Sequence, residues 1–145
     1  MPVSSTAVYQ EIQNFYARQM RLLDEGDTQA WAETFESDGV FDANGLPEPV
    51  RGRENIQSSA RKAWETLTAE GIQRRHWIGM LEVGEHADGT LLARSYALVL
   101  VTKRDDQTAI QTSTTCEDVL IRAGETVQVR YRTVRRDDRP DKQEA

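Results

Sequence analysis

The segment with the clearest chemical potential is Arg75-His76-Trp77-Ile78-Gly79. His76 is one of only two histidines in the chain, and its surroundings are otherwise mostly apolar. Because an imidazole titrates near neutral pH, a histidine in such surroundings can transfer a proton or donate to a substrate carbonyl. His76 is therefore the candidate general acid/base. The alternative is a core histidine that is satisfied by one structural partner.

The elements around His76 predict that its side chain faces a pocket. Alternating residues indicate strands at 72–86 and 90–103, and the Asp88-Gly89 pair between them predicts a two-residue hairpin turn. This turn places His76 opposite Val101. The common face then consists of His76, Ile78, Met80, Glu82, Ser95, Ala97, Val99 and Val101. Such a mixture of apolar and small polar residues is typical of a pocket wall.

The opposite face of the hairpin is also apolar. It carries Trp77, Leu81, Val83, Tyr96, Leu98 and Leu100. An antiparallel sheet with one solvated face would carry polar residues there instead. We therefore expect helices of the same chain to cover one face and a second subunit of a homodimer to cover the other.

Helices precede these strands. Apolar residues at three- and four-residue spacing predict one helix from Thr6 to Glu25, ended by Gly26, and another over residues 52–70. Between them, Asp27 is placed to cap a short helix that extends to Phe35. Further strands are predicted at 39–43, 108–121 and 126–134. Helices followed by a run of strands indicate an α+β domain, with the helices on one face of an antiparallel sheet.

The composition is that of a single globular domain. Of 145 residues, 38% are hydrophobic and 29% are charged. There is neither an apolar run near 18 residues nor a basic and apolar leader, so we expect a cytoplasmic protein without membrane contact. The predicted domain covers residues 1–136. We expect the charged tail at 137–145 to be disordered.

Charge and ligand chemistry exclude several function classes. The first 71 residues carry six Lys/Arg against twelve Asp/Glu, and no basic stripe follows, so nucleic acid is not an expected partner. One cysteine and two histidines are too few for a metal site, and no cofactor is expected. Cys116 is expected to be an inert small hydrophobic residue. Arg122, Arg130 and Arg132 are expected at the sheet surface or an interface.

The order of elements resembles a known family. Three helices precede a long meander, an Asp-x-x-x-Trp element spans Asp27 to Trp31, and Arg-His-Trp-Ile-Gly opens the meander. In these features, residues 5–136 resemble the SnoaL-like group of the nuclear-transport-factor-2-like fold. The resemblance implies a cone-shaped barrel, in which three N-terminal helices pack on a strongly curved antiparallel sheet around a central pocket. This fold hosts cyclases, dehydratases, isomerases and non-catalytic binding modules.

Residues 75–79 also resemble the Gln-His-Phe-Ile-Gly motif of scytalone dehydratase. The resemblance implies that His76 occupies the position of a catalytic histidine and Asp27 that of an aspartate after the first helix. The dehydratase's second histidine falls near Val101, so its particular reaction is not implied. The whole pattern is similar to small SnoaL-like proteins of aromatic-polyketide tailoring.

These observations favour a cofactor-independent acid/base enzyme, a cyclase, dehydratase or isomerase, that acts on a polycyclic aromatic-polyketide-type intermediate. His76 would move the proton, and Asp27 would either cap its helix or form a dyad with His76. The predicted substrate-binding residues are Tyr16, Trp64, Ile78, Met80, Ser95, Val99 and Thr114. The alternative function is a non-catalytic module that holds an aromatic intermediate for a partner tailoring enzyme.

For two of these residues, the sequence allows a second interpretation of their role. Tyr16 lies on the apolar face of the first helix, where packing in the core is the alternative to hydrogen bonding with an oxygenated ring. Thr114 faces the pocket together with Thr112, Cys116 and Asp118 if Asp105 and Asp106 form a two-residue turn. A slip of one residue would replace them with Ser113, Thr115 and Glu117.

Overall fold

A computed structural model describes residues 2–140, in which three helices lie against a six-stranded sheet. The helices are α1 (Thr6–Asp24), α2 (Thr28–Ala32) and α3 (Arg53–Ala69). The strands are β1 (Phe35–Ala43), β2 (Val50–Arg51), β3 (Ile72–Glu85), β4 (Leu91–Lys103), β5 (Thr108–Ala123) and β6 (Thr126–Arg136). The α+β class is confirmed. Of the predicted tail, residues 141–145 lie outside the described residues.

The strand order across the sheet is β2-β1-β6-β5-β4-β3. β3 to β6 form the predicted antiparallel meander, whereas β1 pairs in parallel with β6. The sheet is therefore mixed rather than purely antiparallel. It is also open, because β3 forms one edge and the two-residue β2 forms the other. Between residues 2 and 140, no helix is long and apolar enough to cross a membrane.

Local sequence signals determine where α1 ends and where α2 begins. The Asp27 side chain accepts a hydrogen bond from the Ala30 N–H at the start of α2. Gly26 has a φ of +86°, and a Cβ at this position would overlap the indole of Trp64. Trp64 of α3 therefore packs directly over the turn between α1 and α2.

The short helix ends earlier than predicted. α2 stops at Ala32, and Phe35 is the first residue of β1 rather than part of the helix. Phe35 is fully buried, and its ring still contacts Trp31 at 5.1 Å between centroids. Its carbonyl accepts two hydrogen bonds from the guanidinium of Arg53, at 2.6 and 3.1 Å. Tertiary contacts thus hold this residue in the sheet.

A buried polar network joins α1 to the sheet. Arg132 of β6 donates two hydrogen bonds of 2.8 Å to Asp118 of β5. Tyr16 of α1 donates to the same carboxylate over 2.5 Å, and Arg132 donates to Gln19 of α1 over 2.7 Å. The prediction of Arg132 at the surface is wrong, since only 4% of this residue is exposed. It lies opposite the inward-facing Asp118, so both side chains share the inner face.

The β3–β4 hairpin differs from its predicted register in two places. Glu85 lies opposite Leu91, so the connection is longer than the Asp-Gly pair, and a bulge between Gly79 and Glu82 shifts the pairing again. His76 therefore lies opposite Val99 rather than Val101. Together, the two shifts move the partner of His76 by two residues along β4. Because side chains alternate with a period of two, His76 keeps its predicted face.

Beyond the bulge, the side chains change face. Met80 has a φ of +53° and is 78% exposed, and Glu82 lies opposite the exposed Arg94. Val83 is buried in the core, and Leu81 packs against that core. Met80 and Glu82 therefore do not share the inner face with His76, and the placement of Leu81 and Val83 on the outer face is wrong. Met80 instead lines a groove between α1 and β3. One extra residue in a strand reverses every later side chain.

We expect Arg132→Met to lower the free energy of unfolding by about 3–5 kcal/mol, because it leaves the buried Asp118 charge without its partner. Urea denaturation followed by circular dichroism measures this loss. Arg130→Met is the matched control, since Arg130 lies on the same strand in an exposed ion pair with Glu36. Its expected cost is below about 1 kcal/mol. Equal losses in the two variants would contradict the prediction.

Candidate active site

His76 is hydrogen-bonded to Asp24, the last residue of α1. Its ring Nδ1 lies 2.6 Å from Asp24 Oδ1, and its backbone N–H donates to Asp24 Oδ2 over 3.0 Å. The side chains are only 16% and 8% exposed, respectively. An ionised carboxylate only accepts hydrogen bonds, so Nδ1 carries the proton. In a neutral imidazole with this hydrogen bond, Nε2 carries the lone pair and can accept a proton from a ligand.

The structure therefore places Asp24, rather than Asp27, beside His76. Asp27 caps α2 by accepting a hydrogen bond from the Ala30 N–H. This is the purely structural role that the sequence allowed for Asp27 as an alternative to a dyad with His76. Asp24 reaches β3 because α1 runs past this edge strand and is fixed by the network of Tyr16 and Gln19. Both of those residues lie within about two helical turns of Asp24.

His76 lines a cavity of about 290 Å³ between α3, β1 and β3. Most of the wall is apolar, and its apolar residues are Leu23, Trp31, Phe41, Ala43, Leu46, Val50, Ile56, Ala60 and Ala63. The rings of Trp31 and Phe41 lie 6.4 Å apart in an edge-to-face arrangement. Such a wall is suited to a flat aromatic ligand.

Two arginines line the same cavity. Arg74 lies two residues before His76 on the same face of β3. Burial lowers the pKa of its guanidinium, while the charge of Asp24 raises it. Arg136 lies at the end of β6, where it donates hydrogen bonds of 3.0 and 2.9 Å to Asp138. The cavity thus combines one imidazole with two cationic groups.

A second, larger depression lies on the other side of the His76–Asp24 pair. This groove of about 770 Å³ runs between α1 and β3, and both residues line it. Asp24 does not line the smaller cavity, whereas His76 lines both. The pair consequently separates the cavity from an open groove, through which a proton can exchange with solvent.

The remaining predicted residues have different environments. The hydroxyl of Tyr16 donates a hydrogen bond to Asp118. This contact agrees with the alternative in which Tyr16 packs in the core. Burial and the neighbouring Asp118 charge raise the pKa of Tyr16 well above its ordinary value, so the phenol stays protonated. Trp64 covers Gly26 and lines a neighbouring groove rather than the cavity of His76. Ile78 packs against the core and lines the groove beside α1.

On the central strands, the predicted inner face is largely present. Ser95 pairs with Cys116 and Ala97 with Thr114, which places Thr114 on the inner face as predicted. The Thr114 hydroxyl donates to the Ala97 carbonyl over 2.9 Å, so its role in the structure is to bridge two strands. Ser95 and Thr114 are both buried, and Val99 is half-buried opposite His76.

Sequence reasoning missed Asp24, Arg74 and Arg136. Arg74 could have been found, because the period of a strand places it on the face of His76. Asp24 carried no comparable signal, since its contact spans 52 positions of the chain. Arg136 is the last residue of the predicted domain. Its position depends on the pairing of β6 with β5, which brings Arg136 opposite Thr114.

Cys116 is predicted to be unreactive in the folded protein. Burial raises the pKa of its thiol to about 11, although the charge of Arg132 opposes this shift. Since the thiolate is the nucleophile, iodoacetamide at pH 8 should alkylate Cys116 roughly a hundredfold more slowly in the native protein than in urea. Mass spectrometry over a time course measures both rates. Similar rates would contradict the assignment.

Comparison with known proteins identifies the family. A sequence profile of the SnoaL-like domain matches residues 4–133, and the chain belongs to this family. No curated protein matches the chain. It is similar to the solved structure of Aln2 from a Streptomyces species, with 34% identity, a TM-score of 0.87, and coverage of 94% of this chain and 95% of that one.

Two further solved structures are informative. A protein from Catenulispora acidiphila, in complex with S-DNPA, has 37% identity and a TM-score of 0.79, with coverage of 92% of this chain and 96% of that one. An NTF2-like protein with a cystatin-like fold from Novosphingobium aromaticivorans has 23% identity and a TM-score of 0.77, with coverage of 89% and 81%. The latter shows the fold alone. The α+β fold of the chain, with its open six-stranded sheet, is consistent with the NTF2-like cone.

Proposed function

We propose that the protein is a cofactor-independent acid/base enzyme, a cyclase, dehydratase or isomerase, acting on a polycyclic intermediate of the aromatic-polyketide type. The observation that carries this proposal is the Asp24–His76 pair beside a mainly apolar cavity. Membership of the SnoaL-like family supports it. So does the related Catenulispora acidiphila protein, whose structure contains the small molecule S-DNPA.

The chemistry follows from the protonation state of the pair. With Nδ1–H donated to Asp24, Nε2 of His76 accepts a proton from a carbon next to a substrate carbonyl, and an enolate forms. The positive imidazolium is stabilised by the Asp24 carboxylate 2.6 Å away. The enolate then attacks, eliminates or is reprotonated, and His76 returns the proton. An apolar wall excludes water from this exchange.

The rival function is a non-catalytic module that holds an aromatic intermediate for a partner enzyme. One observation favours it: in the described part of the chain, the cavity lining contains a single histidine and neither Asp nor Glu. A ligand could therefore bind without a second general acid or base. The two functions differ in whether His76 exchanges a proton with the ligand.

Deuterium exchange distinguishes them. 2-Tetralone is a bicyclic aromatic ketone with acidic protons beside its carbonyl, and proton NMR in D₂O measures their loss. The wild type should accelerate exchange above the buffer rate. His76→Ala should lower the acceleration by roughly two to four orders of magnitude, the range for a general base. Asp24→Asn should also lower it, because the imidazole loses its orientation and its stabilising charge.

Asp27→Asn is the matched control, since Asn also caps helices and Asp27 does not touch His76. It should leave the exchange rate unchanged. Circular dichroism checks that every variant is folded. If the wild type binds S-DNPA but gives no acceleration, the binding module is the better description. Equal acceleration by the wild type and His76→Ala would sink the assignment of His76.

We also propose that the outer face of the sheet forms a homodimer interface. Trp77 and Tyr96 are 67% and 59% exposed there, and Leu98, Leu100 and Ile110 lie on the same face. A contiguous apolar surface of this kind is seldom left in contact with water. A two-fold axis would bring the same patch of each subunit together.

Tyr96→Arg should weaken this dimer, because it would bury an unpaired charge at its centre. Light scattering over a micromolar concentration series should show a dimer for the wild type and a larger monomer fraction for the variant. Ser58→Arg, on the exposed side of α3, controls for added charge. A strictly monomeric wild type would contradict the proposed interface.

A further inference from the structure

Gln19 of α1 is fully buried, although its side chain is a polar amide. It lines neither the cavity nor the groove beside His76, so it does not contact a ligand bound in either. A buried amide is tolerated only when its hydrogen bonds are satisfied, whereas a methionine would fill a similar space without that requirement. An amide at this position therefore calls for an explanation beyond packing.

The hydrogen bonds of Gln19 run in one direction. The guanidinium of Arg132 donates to Gln19 Oε1 over 2.7 Å, and Gln19 Nε2 donates to the Thr34 hydroxyl, also over 2.7 Å. The Thr34 hydroxyl in turn donates to the Trp31 carbonyl over 2.5 Å. An arginine only donates and a carbonyl only accepts, so the orientation of the amide is fixed at both ends. The chain of hydrogen bonds connects β6 to α1 and then to α2.

Gln19 is the second of two polar anchors that attach α1 to the sheet. Tyr16 is the first, through its hydrogen bond to Asp118. Residues three positions apart lie on the same side of a helix, about one turn from each other. A single hydrogen-bonded anchor fixes one point of a helix, whereas two anchors one turn apart also restrict its rotation and tilt. Asp24 follows about 7.5 Å farther along the axis, so its position depends on the second anchor.

The pair of Asp24 and His76 is sensitive to a rotation of α1. Both oxygens of Asp24 contact the same residue, Oδ1 the ring Nδ1 at 2.6 Å and Oδ2 the backbone N–H at 3.0 Å. His76 belongs to β3, so the position of α1 determines whether the carboxylate reaches it. Because hydrogen bonds weaken steeply with distance and angle, a displacement of about 1 Å is enough to break the contact with the ring.

We propose that Gln19 is a positioning residue, whose buried amide holds α1 in the rotation that pairs Asp24 with His76. Through Thr34, the same amide supports the backbone of α2 at Trp31, whose side chain lines the cavity. One side chain thus connects the helix that carries the carboxylate with the helix that carries an aromatic wall of the cavity. This inference rests on the proposed function, since it takes the Asp24–His76 pair as the reacting pair.

The test replaces the amide with a side chain of similar length that does not reproduce its hydrogen bonds, in Gln19→Met. Gln10→Met is the matched control, because Gln10 lies exposed on the same helix. Proton NMR of protein with isotopically labelled histidine should show a downfield Nδ1–H resonance for His76, which His76→Ala removes and thereby assigns. In Gln19→Met this resonance should disappear or move upfield, since the hydrogen bond to Asp24 is lost. In Gln10→Met it should be unchanged.

Exchange kinetics give a second readout. For 2-tetralone, Gln19→Met should lower kcat by roughly ten- to a hundredfold, the cost of a small misplacement of a reacting group. Circular dichroism at the assay temperature shows whether the variant is folded, and a loss of stability alone does not change kcat in folded protein. Gln10→Met should retain the kcat of the wild type.

A second pair of variants applies if Gln19→Met does not fold. Thr34→Val removes the hydroxyl that accepts from Gln19 but keeps the shape of the side chain, whereas Thr34→Ser keeps the hydroxyl. Thr34→Val should weaken the His76 resonance and lower kcat in the same direction. Thr34→Ser should resemble the wild type in both measurements.

A wild-type resonance in folded Gln19→Met would overturn the proposal, as would equal effects of Gln10→Met. Absence of the resonance from the wild type would overturn it too, because there would be no hydrogen-bonded pair to position. Failure here is distinguishable from failure of the proposed function, since the resonance reports the pair without turnover. A wild type that shows the resonance but does not accelerate exchange of 2-tetralone would contradict the proposed function and, with it, the assignment of Gln19 to a reacting pair.

Discussion

The buried ion pair of Arg132 and Asp118 is the interaction on which the site depends. It lies between neighbouring strands, and both partners extend hydrogen bonds to α1, to Tyr16 and Gln19. Two charges removed from water are tolerated only when their geometry and remaining hydrogen bonds are satisfied. The network therefore permits one position of α1 against the sheet. That position brings the last residue of the helix to β3, where it meets His76.

The register of the hairpin shows which part of the fold could be predicted from sequence. The alternation of side chains around His76 was sufficient to assign its face of the sheet. This assignment remained correct because the two register shifts together move the pairing by two residues. The same alternation failed at Met80, where a bulge with positive φ inserts one residue. A methionine has no intrinsic preference for that conformation. Packing of Val83 in the core outweighs the local strain, and no short-range pattern reports it.

The partner of His76 marks the limit of sequence reasoning at the site. Asp24 and Asp27 lie three positions apart, and the cap rule correctly explained Asp27 from its neighbours alone. Asp24 stands where helical periodicity ends, and its role appears only when a distant strand packs against α1. Helix ends and turns follow from local chemistry. The pairing of the two candidate site residues follows from the tertiary position of the helix that carries one of them.

Charge placement connects this pair with the cavity. In the proposed reaction, proton transfer from carbon to Nε2 of a neutral His76 creates an imidazolium and an enolate, which is unfavourable between purely apolar walls. The new positive charge would form beside Asp24, and the new negative charge would form within the field of Arg74. Fixed groups of opposite sign on the two sides of the imidazole stabilise both products of the transfer. In that reaction, the position of Asp24 outside the cavity lining keeps its negative charge away from the enolate.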